Sequence, residues 1–273
     1  MATAPRIAVL GAGRMGGALV QGWVRAGLVP PDHLLIYDRS PNPDILALAD
    51  QGAVLNPDPS EARPADLFLL AIKPQTWRPG AETIAQHLPK GAMVISVMAG
   101  ITLPTLAEVF PHQDVVRVMP STPASIGQGV NLVVTPGAFS ADQHRQLQAL
   151  LAPLGHTEVM TDEDELNRAT ALSGCGPAYV FLLAECMIKA GIEQGLSPEL
   201  ARTLTLKTIS GSAALMEQAH ETPETLKTNV MSKGGMTAQA VETLSQAGGL
   251  PDLMREGVAK AIQRGRELAA PSA

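Results

Sequence analysis

Three glycines near the start of the chain have the spacing G-x-G-x-x-G and lie between a short apolar run and an amphipathic stretch. In such a turn Gly11 permits the tight change of direction, Gly13 lets backbone amides approach a pyrophosphate, and Gly16 lets the helix pack closely on the strand. The amino terminus of the following helix attracts negative charge. We therefore predict a dinucleotide-binding turn, rather than an ordinary tight connection, formed by Gly11, Ala12, Gly13, Arg14, Met15 and Gly16.

The end of the second apolar run bears on the choice of dinucleotide. Asp38 follows Gly16 by 22 positions, close to the ~20 at which an acid bonds the ribose 2′-hydroxyl of NAD. Arg39 and Ser40 instead offer a guanidinium and a hydroxyl suited to the 2′-phosphate of NADP. If Asp38 points into the end of the sheet, Arg39 is left free for that phosphate. We predict NADPH as the cofactor, with NADH as the alternative.

Three further segments follow apolar runs at the points where strands would end, which is where ligands bind in open α/β sheets. They are Ala71-Ile72-Lys73-Pro74, Ser96–Gly100 and Val118–Pro123. Any one of them could be an ordinary turn between a strand and a helix. Three together favour a ligand site, and we assign to the cofactor site Ala71, Ile72, Lys73, Pro74, Ala99 and Gly100.

A glycine-rich loop in the C-terminal half is the candidate for the substrate. Its sequence, Ser232-Lys233-Gly234-Gly235-Met236-Thr237, lets backbone amides converge, which is a common way of holding a carboxylate. The alternative is a turn between helices in which Thr237 caps the second helix. None of the six histidines lies in these loops, whereas reduction of a ketone usually needs His or Lys to move the hydroxyl proton. An imine needs less, since its nitrogen can be protonated before the hydride arrives and a threonine hydroxyl can serve as the donor.

The elements that must position these segments follow from the spacing of apolar residues. Runs that are apolar on both faces predict buried parallel strands at Arg6–Leu10, Leu34–Tyr37, Leu67–Ile72, Met93–Val97, Val115–Met119 and Val130–Val134. Helical patterns fall between them at Met15–Ala26, Asp44–Asp50, Thr83–His87, Leu103–Val109 and Ala141–Leu151. This alternation predicts a doubly wound, mainly parallel sheet.

Beyond residue 161 the strand-like runs vanish and four long helical patterns remain. Pro177, Pro198, Pro223 and Pro251 each suit the first turn of one helix, and Ser or Thr caps precede the middle two. The many small residues on these helices favour close contacts between helices. We predict two domains, residues 1–161 with the sheet and the dinucleotide site, and residues 162–273 with helices alone.

Composition narrows the classes of partner. The formal charge is −6 and 3% of the 273 residues are aromatic, so phosphate contacts and base stacking on nucleic acid are both poorly supported. No uninterrupted run of about 18 apolar residues occurs, so we expect no membrane span. Two cysteines cannot build a disulfide framework or a four-ligand zinc site, so we expect no metal and a cytoplasmic protein.

Six segments, in the same order along the whole chain, carry a family resemblance. They are Gly11–Gly17, Ala71–Pro74, Ser96–Ile101, Val118–Ala124, Ala171–Phe181 and, most specifically, Val230–Leu244. On these segments the chain closely resembles the pyrroline-5-carboxylate reductases. The resemblance implies an α/β fold in which an N-terminal Rossmann-type domain binds NAD(P)H and a C-terminal all-helical dimerisation domain interlocks with that of a second subunit, giving a homodimer or a higher homo-oligomer. It also implies reduction of 1-pyrroline-5-carboxylate to L-proline, the last step of proline biosynthesis, by hydride transfer to a cyclic imine.

The resemblance further implies roles for single residues. The hydroxyl of Thr237 would bond the ring nitrogen, the loop amides would receive the substrate carboxylate, and Asn56 would line the adenosine side of the cofactor pocket. The implied substrate-binding residues are Asn229, Ser232, Gly234, Gly235, Met236 and Thr237. The chain departs from the family at Lys233, where proline is usual, and at Asp38, where many members have asparagine. These departures leave the loop geometry and the cofactor preference open.

Two other classes of protein share part of this pattern. A reductase of 3-hydroxy acids would keep the Gly11–Gly16 turn but should carry a catalytic Lys or His on the helix after the domain junction, and none occurs between Leu172 and Ala184. A non-catalytic NAD(P) sensor would keep the same turn without needing the loop at Gly234–Thr237. An assay with NADPH and pyrroline-5-carboxylate distinguishes the three.

Overall fold

The computed structural model describes residues 4–137 and 139–270, and in this part of the chain one sheet has eight strands. The strands are β1 (Ile7–Leu10), β2 (Leu34–Tyr37), β3 (Val54–Leu55), β4 (Leu67–Leu70), β5 (Met93–Ser96), β6 (Asp114–Pro120), β7 (Gly129–Val134) and β8 (Gly155–Val159). Their order is β3-β2-β1-β4-β5-β6-β7-β8. Neighbours from β3 to β6 are parallel, β7 is antiparallel to β6, and β8 is parallel to β7. The predicted doubly wound, mainly parallel sheet is confirmed.

The two strands at the edges of the sheet were not predicted. β3 has two residues, and β8 includes the polar sequence His156-Thr157-Glu158. An edge strand buries less of its surface than a central strand, so its sequence lacks the continuous apolar run that marks the others. The reversed direction of β7 is likewise invisible in its apolar pattern, because pairing direction leaves no periodic signal.

Six helices accompany the sheet: α1 (Arg14–Arg25), α2 (Pro43–Asp50), α3 (Trp77–Ala85), α4 (Leu103–Val109), α5 (Ala141–Leu151) and α6 (Glu163–Ser173). Successive strand residues point to opposite faces, so Ile7 and Val9 belong to one buried core and Ala8 to another. Trp23 of α1 closes the first core and donates its indole N–H to the carbonyl of Leu150. With both faces covered, the carboxyl edge of the parallel strands is left to carry the site.

The remaining helices are α7 (Gly176–Glu193), α8 (Pro198–Gln218), α9 (Pro223–Asn229), α10 (Met236–Ser245) and α11 (Leu250–Ala269). The predicted starts of α8 and α9 are confirmed by their caps. The hydroxyl of Ser197 accepts from the amide of Leu200 at 3.2 Å, and that of Thr222 accepts from the amide of Thr225 at 3.2 Å. Each cap satisfies one of the free amides of a first helical turn.

Packing divides the chain into two units at a different place from the predicted boundary between residues 161 and 162. One unit comprises the residues up to Cys175 and those from Ala261 on, and the other comprises Gly176–Lys260. The reason is α6, an unpredicted helix that Asp162 caps and whose Leu166 packs with the sheet residues Leu132 and Val134. Residues 1–3, 138 and 271–273 of the two predicted domains lie outside the described residues.

The helical unit, residues 176–260, has almost no core of its own. Among its residues, all of which the structure describes, only Ala201 and Thr205 are buried. Large apolar side chains are exposed instead, including those of Phe181, Leu182, Leu204, Leu215, Val230, Met236 and Leu253. So much exposed apolar surface is unusual for an isolated chain and is typical of a surface that a partner covers.

One helical stretch, Glu163–Glu193, is long and apolar enough by length and composition to cross a membrane. Of its most apolar 18 residues, 11% are buried within the chain. The sequence predicted no span because polar residues interrupt its apolar runs. The mean hydropathy of this stretch, 1.5, is nevertheless high enough for a span. One such stretch is weak evidence for a membrane span, since a helix that packs against another protein chain has the same composition.

Candidate active site

The glycine turn between β1 and α1 is packed so closely that two of its residues must lack a side chain. Gly11 has φ +92°, and a Cβ there would lie 2.7 Å from the carbonyl oxygen of Ala71. A Cβ on Gly16 would clash with the carbonyl of Gly11 and lie 2.8 Å from the Cβ of Ala71. Both glycines therefore join the turn to the segment that follows β4, through Ala71 and Ile72.

Gly13 is exposed, as is Arg14 beside it, and nothing lies within 4 Å of the position that a Cβ on Gly13 would take. It is the N-cap of α1, and the first turn of that helix contains no acidic residue. The free amides and the positive end of the helix dipole therefore face open space, which is the arrangement that binds a phosphate. The turn fits the pyrophosphate of a dinucleotide.

Asp38, at the end of β2, uses its carboxylate within the protein. Oδ2 accepts from the amide of Ala12 at 2.7 Å, and Oδ1 accepts from the amide of Ser40 at 2.8 Å. The first bond ties the glycine turn to the end of β2 across 26 positions of sequence. Arg39 and Ser40 are exposed, and Arg39 forms no ion pair within the described residues.

Asn56 supports Asp38 from the other side. Its side-chain oxygen accepts from the amide of Asp38 at 2.9 Å, and its side-chain nitrogen donates to the carbonyl of Asp38 at 2.9 Å. Asn56 has φ +46°, in the left-handed region that asparagine tolerates better than most residues. The structure thus places Asn56 against the segment predicted to hold the adenosine ribose.

The segments after β4 and β5 differ in how their residues are used. The amide of Ala71 donates to the carbonyl of Leu10 at 2.9 Å, while Lys73 is exposed and Pro74 begins a short 3₁₀ turn. Ala99 is exposed as well, but Gly100 has φ +77° and a Cβ there would lie 2.7 Å from the carbonyl oxygen of Leu268. Gly100 is therefore required for packing whether or not it touches a cofactor.

Arg117 on β6 was not singled out from the sequence. Its side chain is buried and pairs with Glu163, at the start of α6. Burial lowers the pKa of the guanidinium, and Glu163 opposes that shift. An arginine inside the apolar run Val115–Met119 was the available signal, because a charged residue is almost never buried unless it is paired.

The glycine-rich loop lies in the helical unit, between α9 and α10. Gly234 has φ +71°, and the amide of Gly235 donates to the carbonyl of Ser232 at 2.9 Å. Gly235 is the N-cap of α10, so Thr237 is the second residue of the helix and not its cap. The hydroxyl of Thr237 is exposed and has no hydrogen-bond partner within the part of the chain that the structure describes.

The neighbours of this loop are also exposed. Met236 is 92% exposed, and Lys233 lies at the surface. Asn229, the last residue of α9, donates its side-chain N–H to Oε1 of Glu221 at 3.1 Å. The predicted cofactor residues thus belong to the sheet-containing unit and the predicted substrate residues to the helical unit. No group of three or more His, Cys, Asp or Glu that could hold a metal occurs among the described residues.

Comparison with known proteins gives a separate family match for each end of the chain, and the C-terminal match begins at the first residue of α6, close to the predicted boundary at residues 161 and 162. Residues 163–268 match the pyrroline-5-carboxylate reductase dimerisation family, and residues 6–100 match the family described as NADP oxidoreductase, coenzyme F420-dependent. Two solved structures are similar over nearly the whole chain. The pyrroline carboxylate reductase of Plasmodium falciparum, solved with NADP bound, has a TM-score of 0.87 and 27% identity and covers 97% of this chain and 98% of its own. That of Coxiella burnetii has a TM-score of 0.86 and 28% identity, with coverage of 98% and 100%.

Sequence relatives point to the same family. The pyrroline-5-carboxylate reductase of Pseudomonas aeruginosa is 35% identical over 269 residues, which are 97% of each chain. Pyrroline-5-carboxylate reductase 1 of Bacillus spizizenii is 30% identical over 267 residues, covering 96% of this chain and 89% of the relative. Since this identity extends through both the glycine turn and the helical unit, the chain belongs to the pyrroline-5-carboxylate reductase family.

Proposed function

We propose that this protein reduces 1-pyrroline-5-carboxylate to L-proline with NADPH. The observation that carries the proposal is the open glycine turn, in which Gly13 faces empty space while Gly11 and Gly16 are locked against Ala71. This turn belongs to a chain of the pyrroline-5-carboxylate reductase family. NADPH supplies the hydride when it is bound.

The cofactor half of the proposed site is built on the carboxyl edge of the sheet. The pyrophosphate lies against the turn formed by Gly11, Ala12, Gly13, Arg14, Met15 and Gly16, and the free amides at the start of α1 bind it. Arg39 and Ser40 bind the 2′-phosphate, because the carboxylate of Asp38 is already satisfied by backbone amides. The adenosine side is completed by Asn56, and the remaining contacts come from Ala71, Ile72, Lys73, Pro74, Ala99 and Gly100.

The substrate half is the loop before α10. Its backbone amides, at the positive end of the helix, receive the substrate carboxylate. The hydroxyl of Thr237, free of any capping role, donates to the ring nitrogen and orients the imine. The proposed substrate-binding residues are Asn229, Ser232, Gly234, Gly235, Met236 and Thr237.

The experiment that tests the function is an assay of NADPH oxidation with pyrroline-5-carboxylate, with L-proline identified as the product. A 3-hydroxy acid with NADP, assayed in parallel, tests the alternative reductase. Binding of NADPH without turnover of either substrate would indicate a sensor and would contradict the proposal.

The proposed functional unit is a homodimer or a higher homo-oligomer. The support is the near absence of a core in residues 176–260, because exposed apolar side chains on helices are stabilised when a second copy covers them. We predict that Phe181→Glu, at a side chain that is 64% exposed in the single chain, dissociates the oligomer, because it places a charge in the covered surface. Analytical ultracentrifugation and specific activity on dilution measure this.

The matched control for the oligomer is Leu46→Glu on α2, where the leucine is 46% exposed. This variant has the same change in charge but lies in the sheet-containing unit. It should form an oligomer of the same mass as that of the parent protein. A fully active monomer of the parent protein at low concentration would contradict the proposal.

A cytoplasmic location is proposed on the cysteines. Cys175 and Cys186, the two in the chain, are both free, which suits a reducing compartment. Fractionation of source cells with an antibody to the protein tests the location.

Lys233, which stands where the family usually has proline, is expected to contribute little to substrate binding. Its side chain is exposed, and an exposed ion pair contributes only about 0–1 kcal/mol. Lys233→Ala should therefore leave the KM for pyrroline-5-carboxylate within about threefold of the parent at moderate salt. Lys227→Ala, at another exposed lysine of the same unit, controls for the change in net charge. A tenfold rise that shrinks as salt is added would instead make Lys233 a substrate residue.

A further inference from the structure

An ion pair between a buried arginine and a partly exposed glutamate lies beside the segment that follows β5. Arg117 is 5% exposed, and one of its terminal nitrogens pairs with Oε2 of Glu163. Taking the charge of the guanidinium out of water costs several kcal/mol unless a partner charge and hydrogen bonds compensate. The remaining contacts of the two side chains therefore bear on what the pair does.

The pair holds both ends of one short segment. The other terminal nitrogen of Arg117 donates to the carbonyl of Met98 at 3.3 Å. The second carboxylate oxygen of Glu163 accepts from the amide of Leu103 at 2.8 Å, at the start of α4. Between these two contacts lies the turn that contains the exposed Ala99 and the partly buried Gly100.

Neither contact is needed to start α6, the helix that contributes Glu163. Asp162 already caps that helix, because its side chain accepts from the amide of Glu165 at 2.7 Å. The carboxylate of Glu163 is directed instead at Arg117 and at the end of the turn after β5. Its contacts are therefore with β6 and with the start of α4 rather than with its own helix.

We propose that Arg117 and Glu163 are positioning residues for the cofactor, because together they fix the Met98–Leu103 segment and so the turn at Ala99 and Gly100. The proposal rests on the assignment of that turn to the cofactor site under the proposed function. A small misplacement of groups that contact a bound reactant can change rates by up to about 10²-fold, so the pair acts on the cofactor without touching it.

Glu163→Gln tests the pair with little change in shape, because the amide oxygen can still accept from Leu103 while the charge is lost. We expect the Kd and the KM for NADPH to rise about tenfold, and the KM for pyrroline-5-carboxylate to change less than threefold. Fluorescence titration with NADPH gives the Kd independently of turnover. Glu163→Asp, which keeps the charge on a shorter side chain, is the second variant should the first not fold, and it should show the same selectivity for NADPH.

Leu147→Ala is the control for a merely structural effect. Leu147 is buried on α5 in the core on the opposite face of the sheet from Met98. It should lower the Tm and leave the Kd for NADPH unchanged. If Glu163→Gln behaved in the same way, with a lower Tm and a Kd within twofold of the parent, the positioning role would be refuted.

Ala99→Leu separates failure of this proposal from failure of the site assignment. Ala99 is exposed, so a larger side chain there obstructs the turn without disturbing the core. Weaker NADPH binding in Ala99→Leu but not in Glu163→Gln would support the assignment of the turn to the cofactor site and refute the positioning role. Unchanged binding in both would remove the assignment and the proposal together.

Discussion

Replacing Thr237 by valine is expected to lower kcat for pyrroline-5-carboxylate by about 100-fold or more, because removal of one preorganised donor in an active site commonly has that effect. Valine keeps the shape of threonine and deletes only the hydroxyl proposed to meet the ring nitrogen. Binding of NADPH should be unchanged, since the cofactor residues belong to the other unit. Steady-state kinetics and a fluorescence titration with NADPH measure the two quantities.

The structure removes the main objection to this experiment. If Thr237 were the cap of α10, its loss would destabilise the helix, but the cap is Gly235 and Thr237 follows it by two positions. Thr243→Val is the matched control, because Thr243 lies on the same helix and its hydroxyl donates to the carbonyl of Gln239 within that helix. That variant should keep the kcat of the parent. A Thr237→Val enzyme with intact folding and nearly full kcat would leave Thr237 with no part in the reaction.

Features that depend on local sequence could be predicted. The strand Leu34–Tyr37 and the helix Ala141–Leu151 have their predicted bounds, because each has a clear apolar period and clear signals at its ends. The glycine turn could be predicted for the same reason, since a tight turn, an open amide and a close packing contact each leave a glycine at a fixed spacing. The three glycines of the turn are therefore enough to predict a dinucleotide-binding site.

Features that depend on distant pairs of residues could not be predicted. The pair Arg117–Glu163 spans 46 positions, and no local pattern relates the two residues. The division into units also depends on such contacts, because α6 follows the last strand and yet packs with the sheet. Whether Thr237 caps a helix was open for another reason, since the cap is decided by the backbone angles of the loop and not by residue type alone.

The role of Asp38 depends both on its position in the local sequence and on its contacts with distant residues. Its position after Gly16 is that of an acid that binds the ribose of NAD, whereas the structure commits both carboxylate oxygens to the amides of Ala12 and Ser40. The acid therefore holds the glycine turn in place and leaves the exposed Arg39, the next residue in the chain, free for the predicted 2′-phosphate. Residue type alone allowed either cofactor, and the hydrogen bonds favour NADPH.

Arg39→Ala is accordingly expected to raise the KM for NADPH by about ten- to a hundredfold and to leave the KM for NADH nearly unchanged. A charge-assisted contact contributes roughly 1.5–3 kcal/mol. NADH has no 2′-phosphate, so its binding does not include this contact and does not lose it. The quantity to measure is the ratio of kcat/KM for the two cofactors in parent and variant. The difference should shrink as salt is raised, because screening weakens an exposed ionic contact.

Arg145→Ala is the matched control, because Arg145 is an exposed arginine on α5 whose ion-pair partner among the described residues is Asp142, three positions earlier. It removes the same charge from the same unit at a distance in sequence from the glycine turn, and it should leave both KM values as they are. An equal loss of kcat/KM with NADPH and NADH in Arg39→Ala would mean that Arg39 supports the turn and does not bind the 2′-phosphate. A parent enzyme that prefers NADH would mean that Asp38 releases Ala12 or Ser40 to bond the ribose, because its two carboxylate oxygens are otherwise occupied.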